Sequence, residues 1–160
     1  LARGTFPAMI LATYGDTLFK VLFLGHMLSF VIAFAPAVIN PILMARIKAQ
    51  GDFSTLGKVG GILASNGQQI HLPALIALGG FGIAMVLTSD PLFGFDQAWV
   101  SLAFLVWHAI IGVVVGVLLP SERKLAAGDM EAEKKVARGG QIVTLLTLVM
   151  LYLMIWKPGL

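Results

Sequence analysis

Four stretches of this sequence are apolar over lengths that suit a lipid bilayer. They run at about residues 18–44, 70–88, 98–119 and 142–155. At a rise of ~1.5 Å per residue the first is about 40 Å long, more than the ~30 Å hydrocarbon core requires. Hydrophobic residues make up 58% of the 160 residues and charged residues 12%, so a soluble fold of this size would not bury the apolar surface. The sequence therefore predicts an all-α, polytopic membrane protein: one domain over residues 1–160, with four transmembrane helices in a bundle.

Prolines and polar residues indicate where the predicted helices bend and end. Pro36 and Pro41 lack an amide hydrogen, so they should kink the first span. Pro73 falls in the first turns of the second span, where proline costs least, and Pro120 should end the third. The polar connection 45–69 carries apolar residues at helical spacing. That spacing predicts a short helix that either lies at the membrane interface or feeds the next span.

Basic residues concentrate on one side of the predicted bundle. Eight of the 11 Lys and Arg residues lie in the connections 45–69 and 120–141, and the loop 89–97 on the other side has none. Because cytoplasmic loops carry the excess of Lys and Arg, we expect both termini on the non-cytoplasmic side of a bacterial inner (plasma) membrane. The eight residues are Arg46, Lys48, Lys58, Arg123, Lys124, Lys134, Lys135 and Arg138; the other three are Arg3, Lys20 and Lys157. Membrane orientation thus accounts for the net charge of +3, and no nucleic-acid partner is predicted.

Polar side chains inside the spans are functional candidates by default, because lipid offers them no partners. Helical spacing places His26 on one stripe of the first span and His108 on one stripe of the third. The first stripe also holds Ser29, Ala33, Ala37 and Asn40; the second holds Ser101, Gly112 and Gly116. Gly112 and Gly116 form a GxxxG pair, and small residues at this spacing let helices approach closely. We expect both stripes to face the bundle interior, with the two histidines at similar depth.

Two inward-facing neutral imidazoles suit the axial positions of a haem iron, or the coordination of a copper or zinc ion. His26 and His108 are therefore the candidate cofactor-binding residues. The sequence does not identify the cofactor, and haem b is the candidate that we consider. The alternative is that they only form hydrogen bonds across helices, for example to a carbonyl released by a proline. His71 should lie near the cytoplasmic edge, too far along the bundle to join them.

Motifs for common catalytic chemistry are missing from the sequence. There are no cysteines, no HExxH, GxSxG or P-loop motif, and no Asp or Glu within the four spans. These absences argue against a hydrolase and against a proton-coupled transporter. We therefore predict a non-enzymatic accessory or structural subunit whose partners are the lipid bilayer and either other membrane subunits or further copies of itself. The alternative is a haem-b-binding membrane redox protein with two histidine ligands.

Three short segments resemble an uncharacterised family of small bacterial four-helix integral membrane proteins, known as a domain of unknown function. The segments are the leucine-rich run from Leu18 to His26, the segment from Phe93 to Trp99, and Leu118-Leu-Pro120. The resemblance covers roughly residues 15–156 and implies the same four-span architecture. The run to His26 is also distantly similar to the first helix of copper-resistance D-type membrane proteins and of the bacterial oxygen-independent protoporphyrinogen oxidase. Resemblance to the oxidase would imply haem binding, and His26 is the one residue of this chain to which that role could be carried over.

Overall fold

The computed structural model describes residues 16–89 and 93–159, and this part of the chain contains helices and no strand. The predicted all-α four-helix architecture is confirmed: four helices are long and apolar enough to cross a membrane. They are α1 (Thr17–Ala49), α2 (Phe53–Thr88), α3 (Ala98–Ala126) and α4 (Ala132–Trp156). Arg3 and residues 90–92 of the predicted outer loop lie outside the described residues.

The connections at the basic side are much shorter than the polar segments suggested. α1 follows Asp16 and continues to Ala49, so only residues 50–52 separate it from α2. Asp52 caps α2, because its Oδ1 accepts a hydrogen bond from the Thr55 amide at 2.9 Å. The helix predicted in the connection 45–69 is therefore the beginning of α2, which feeds the second span. Asp129 likewise precedes α4, and its Oδ1 accepts from the Glu131 amide at 3.1 Å.

Two prolines sit inside continuous helices just after a widened, π-helical turn. In α2 the π turn is Gly67–His71 and Pro73 follows it; in α3 it is Val114–Leu118 and Pro120 follows it. The amides of Leu72 and Leu119 donate five residues back, to the carbonyls of Gly67 and Val114. The prediction that Pro120 ends the third helix is wrong, because the helix continues to Ala126. The π turn shifts the bonding pattern just ahead of the residue that lacks an amide hydrogen.

The helices form a ring in which α1 packs along the second half of α2, α3 packs along α4, and α4 also touches α1. The segment Leu119–Ala126 of α3 closes the ring against Phe53–Asn66 of α2. We call the end of the bundle that holds Phe93, Phe95, Trp99 and Trp156 the aromatic end, and the end with Arg46, Lys48, Arg123 and Lys134 the basic end. Buried apolar clusters lie at each end and between them, the middle one comprising Phe34, Leu75, Leu78, Ile110 and Val143.

Candidate ligand-binding cavities

His26 joins α1 to α2 through a hydrogen bond that determines its tautomer. Its Nδ1 lies 2.9 Å from the carbonyl oxygen of Leu78. A carbonyl oxygen only accepts, so Nδ1 carries the proton and donates it, and the Nε2 of the neutral ring keeps a free lone pair. The imidazole lies over Gly82, where an added Cβ would stand 3.3 Å from its Cε1. The prediction that His26 points into the bundle is confirmed, and Nε2 forms no hydrogen bond with the described residues.

His26 lines a cavity of about 550 Å³ in the aromatic half, which we call the aromatic cavity. This volume lies in the roughly 300–1,000 Å³ range of pockets for organic ligands. Its walls are mostly rings and thioethers from all four helices and from the segment before α3. They include Phe19, Phe23, Phe30, Phe93, Phe104, Trp99, Trp107, Met27, Met85, Met150 and Met154. The cavity therefore offers flat, polarisable surfaces around one imidazole.

Two lysines line the aromatic cavity near the end of the bundle. Lys20 comes from the first turn of α1 and Lys157 follows the last residue of α4. The Lys157 ammonium lies 4.7 Å from the centre of the Phe93 ring and 5.4 Å from that of Trp99, which are cation–π distances. A molecule in this cavity would thus meet His26 in its apolar part and positive charge at the end of the bundle.

His108 lies on the outside of the bundle, so the prediction that it points inward is wrong. Its Nδ1 donates to the carbonyl of Phe104, one turn back in the same helix, at 2.9 Å. The neighbouring residue, Trp107, takes the inward position instead: its Nε1 donates to Leu75 O at 2.8 Å, and its indole lies directly on Gly79 of α2. Successive residues of a helix are turned by about 100°, so an inward Trp107 turns His108 outward. Within one copy of the chain, His26 and His108 do not meet.

Gly112 and Gly116 also lie on the outside, contrary to the prediction that they line a contact in the bundle. No atom outside their own helix backbone lies within 4 Å of the position of an added Cβ at either residue. Other small residues do permit close contact. Gly25 lies under the Phe81 ring, Gly79 under Trp107, Gly82 under His26, and Gly139 of α4 against Leu118. On the second span, Gly79 and Gly82 therefore form a small surface that neighbouring side chains contact, whereas Gly80 faces open space.

His71 lies near the middle of the bundle, not at its edge. Its Nδ1 donates to the carbonyl of Ile32, midway along α1, at 2.8 Å. In a regular α-helix that carbonyl would accept from residue 36, but Pro36 has no amide hydrogen. His71 thus fills the vacancy that Pro36 creates, which is the structural role the sequence suggested for histidines near prolines. Pro41 releases the carbonyl of Ala37 in the same way, and Thr144 rather than Asn40 approaches it, at 3.5 Å.

A second cavity, of about 760 Å³, occupies the basic half, and we call it the polar cavity. Both prolines of α1 and residues of both π turns line it, so it lies where the helices depart from regular geometry. Its polar lining residues are Asn40, Lys48, His71, Glu122, Glu133, Gln141 and Thr144. Lys48 and Glu133 form an ion pair of 2.9 Å between α1 and α4.

Glu122 is the residue that the sequence analysis missed. It follows the predicted end of the third span, yet its side chain is only 7% exposed and lines the polar cavity. Spacing carries the signal: Leu119, Glu122 and Leu125 are three residues apart and all buried, while Arg123 and Lys124 face outward. A carboxylate that shares a helical face with two buried leucines is expected to point inward.

In the residues that the structure describes, no group of three or more His, Asp or Glu side chains is placed to hold a metal ion. Comparison of the chain with protein-family models, with curated proteins and with solved structures finds no match. The two cavities and the surface of the bundle are therefore the features of this chain that bear on its function.

Proposed function

We propose that this chain is a haem-b-binding membrane protein in which His26 would bind the iron. The observation that carries the proposal is the anchored imidazole, whose Nδ1 is held by Leu78 O while Nε2 is left free beside the aromatic cavity. Histidine ligands of metals commonly donate their other ring nitrogen to a carbonyl or carboxylate, which sets the tautomer and makes the ligand more basic. A porphyrin brings four nitrogen ligands of its own, so one or two protein ligands suffice.

The cavity walls and the two lysines support the same ligand. Aromatic and methionine side chains suit the faces of a planar macrocycle, and Lys20 and Lys157 suit carboxylates at its edge. Haem would supply one-electron transfer when bound. The chain's own part is to hold and orient the group through His26 and to keep it among apolar side chains. If the basic end is cytoplasmic in a bacterial inner membrane, the cavity lies in the half of the bundle nearer the opposite side.

The test is the visible absorption of protein purified in detergent and supplemented with haemin. We expect a Soret band that His26→Gly abolishes. Added imidazole should restore the band, because free imidazole can bind the iron in place of the missing side chain. His71→Ala and His108→Ala should keep the band, which separates this site from the pairing of His26 with His108. A wild-type protein without a Soret band, or a band that survives His26→Gly, would overturn the proposal.

The outer stripe of α3 favours a second candidate, an accessory subunit that self-associates. Gly112 and Gly116 stand open on the surface together with Ser101 and His108, and small residues at this spacing allow close helix pairing in lipid. The chain has no cysteine, so single cysteines report contacts cleanly. Oxidation should link copies of Gly112→Cys but not copies of Leu145→Cys, an exposed control on α4. Equal linking of both variants, or of neither, would argue against this interface.

A further inference from the structure

The side chain of Glu122 is a carboxylate withdrawn from the surface without a partner. Glu122 is 7% exposed and lines the polar cavity, and it takes part in no hydrogen bond or ion pair among the described residues. Its Oε2 would lie 3.6 Å from a Cβ at Gly67, so the carboxylate rests on the beginning of the π turn in α2. An unpaired buried charge is costly, and an ionisable group in a membrane protein interior is a functional candidate by default.

The other charged and titratable residues that line the polar cavity each form a polar contact within the chain. Lys48 is paired with Glu133 at 2.9 Å, and His71 donates to Ile32 O. Arg123, next to Glu122 in sequence, faces outward and donates to the side-chain oxygen of Gln68. Lys48 and Glu133 cancel each other, so Glu122 is the acidic side chain among the lining residues that lacks a counterion.

We infer that the polar cavity is a second binding site, for an amphipathic organic cation whose charged group pairs with Glu122. The size and walls of the cavity favour an organic body over a bare ion. Its 760 Å³ falls within the usual range for organic ligands, and much of its lining is apolar. The apolar lining residues include Pro36, Met44, Val114, Leu118, Leu145 and Leu148.

The chemistry of the lining argues against a metal ion at the same place. A divalent ion needs several oxygen, nitrogen or sulfur ligands, and the described residues bring no three acidic or histidine side chains together. The two π turns that border the cavity are consistent with a binding site, because such turns occur often at functional sites. This site shares no residue with the aromatic cavity, so the two proposals fail separately.

Binding of tetraphenylphosphonium tests the inference, with tetraphenylborate as a probe of the same shape and opposite charge. The protein is placed in nanodiscs of neutral phosphatidylcholine and binding is measured by equilibrium dialysis. We expect saturable binding of the cation that Glu122→Gln weakens at least tenfold, whereas Glu131→Gln, an exposed control outside the cavity, leaves it unchanged. The affinity of tetraphenylborate for the wild-type protein should be no higher than its affinity for Glu122→Gln.

A labelling experiment on the unaltered chain removes any dependence on the folding of a variant. Dicyclohexylcarbodiimide reacts with carboxyl groups in apolar surroundings, and mass spectrometry locates the adduct. We expect labelling at Glu122 that tetraphenylphosphonium suppresses and tetraphenylborate does not. Equal cation affinity of wild type and Glu122→Gln, absence of saturable binding to wild type, or labelling at Glu122 that the cation leaves unchanged would overturn the inference.

Discussion

The helices are held together by different contacts in the aromatic half and the basic half of the bundle. In the aromatic half the helices are regular, and large side chains rest on glycines, as Trp107 rests on Gly79. In the basic half prolines and π turns interrupt the helices, and polar side chains reach the backbone that those interruptions leave unpaired. Side chains packed on glycines occur in both halves, since Leu118 rests on Gly139 in the basic half. Hydrogen bonding to irregular backbone is what the basic half adds.

Hydrogen bonds from side chains to backbone carbonyls occur in both halves. They differ in whether the accepting carbonyl also has a regular partner within its own helix. His26 and Trp107 donate to Leu78 and Leu75, whose carbonyls lie in the regular helix Leu72–Thr88. His71 donates to Ile32, whose regular partner would be the missing amide of Pro36. Loss of His71 therefore leaves a carbonyl with no helical partner, whereas loss of the other donors does not.

The largest effect should come from the packing of the aromatic half. A Cβ at Gly79 would stand 2.1 Å from the Trp107 ring, so Gly79→Ala forces the indole or the helix to move. We expect a loss of about 1–3 kcal/mol in the free energy of unfolding, seen as a lower melting temperature in detergent. Gly112→Ala is the matched control: it meets open space and should match or exceed wild type, because Ala favours helix. Similar melting of the two variants would mean that α2 and α3 are not packed through this contact.

In the basic half, His71→Leu should leave the Ile32 carbonyl unpaired. The expected cost is about 1–3 kcal/mol, and Pro36→Ala in the same chain should recover much of it by restoring the regular amide donor. Melting temperatures of the two single variants and the double variant give the coupling between the sites. His108→Leu serves as the control, since the carbonyl it touches lies in the regular segment Ala98–Val113. Strictly additive effects of the two substitutions would contradict the role assigned to His71.

The ion pair between Lys48 and Glu133 should contribute less than either of these. Lys48 is 54% exposed, so water and salt screen the attraction, and we expect no more than about 1 kcal/mol. A double-mutant cycle with Lys48→Ala and Glu133→Ala measures it. The coupling should shrink as salt is raised; a large, salt-independent coupling would place the pair in a drier environment than the structure does.

The smallest effect concerns the cap of α2. The hydrogen bond from Thr55 lowers the pKa of the Asp52 carboxyl below its ordinary value. A lowered pKa in the folded state means that the cap stabilises the protein above the unfolded-state pKa. That contribution is lost as the pH falls through the folded-state pKa. Asp52→Ala should thus melt slightly below wild type at neutral pH, and the gap should close on acidification; a gap that stays constant would argue against the charged cap.

Only part of the candidate site could be predicted from the sequence. His26 was placed correctly because its stripe of small residues does face the interior. The same argument placed His108, Gly112 and Gly116 inward, and there it was wrong. A stripe shows which residues share a helix face, but a small-residue face suits a neighbour inside the bundle and a partner outside it equally well.

By itself, the sequence determined the number of helices and their apolar character, because length and hydropathy depend only on residues that are neighbours in the sequence. Tertiary structure alone decided how each helix is turned about its axis. The contact of Trp107 with Gly79 turns α3 so that His108 faces out, and continuation of α3 past Pro120 carries Glu122 into the polar cavity. Helix rotation depends on how large and small side chains on different helices fit together, and that fit exists only once the helices are packed.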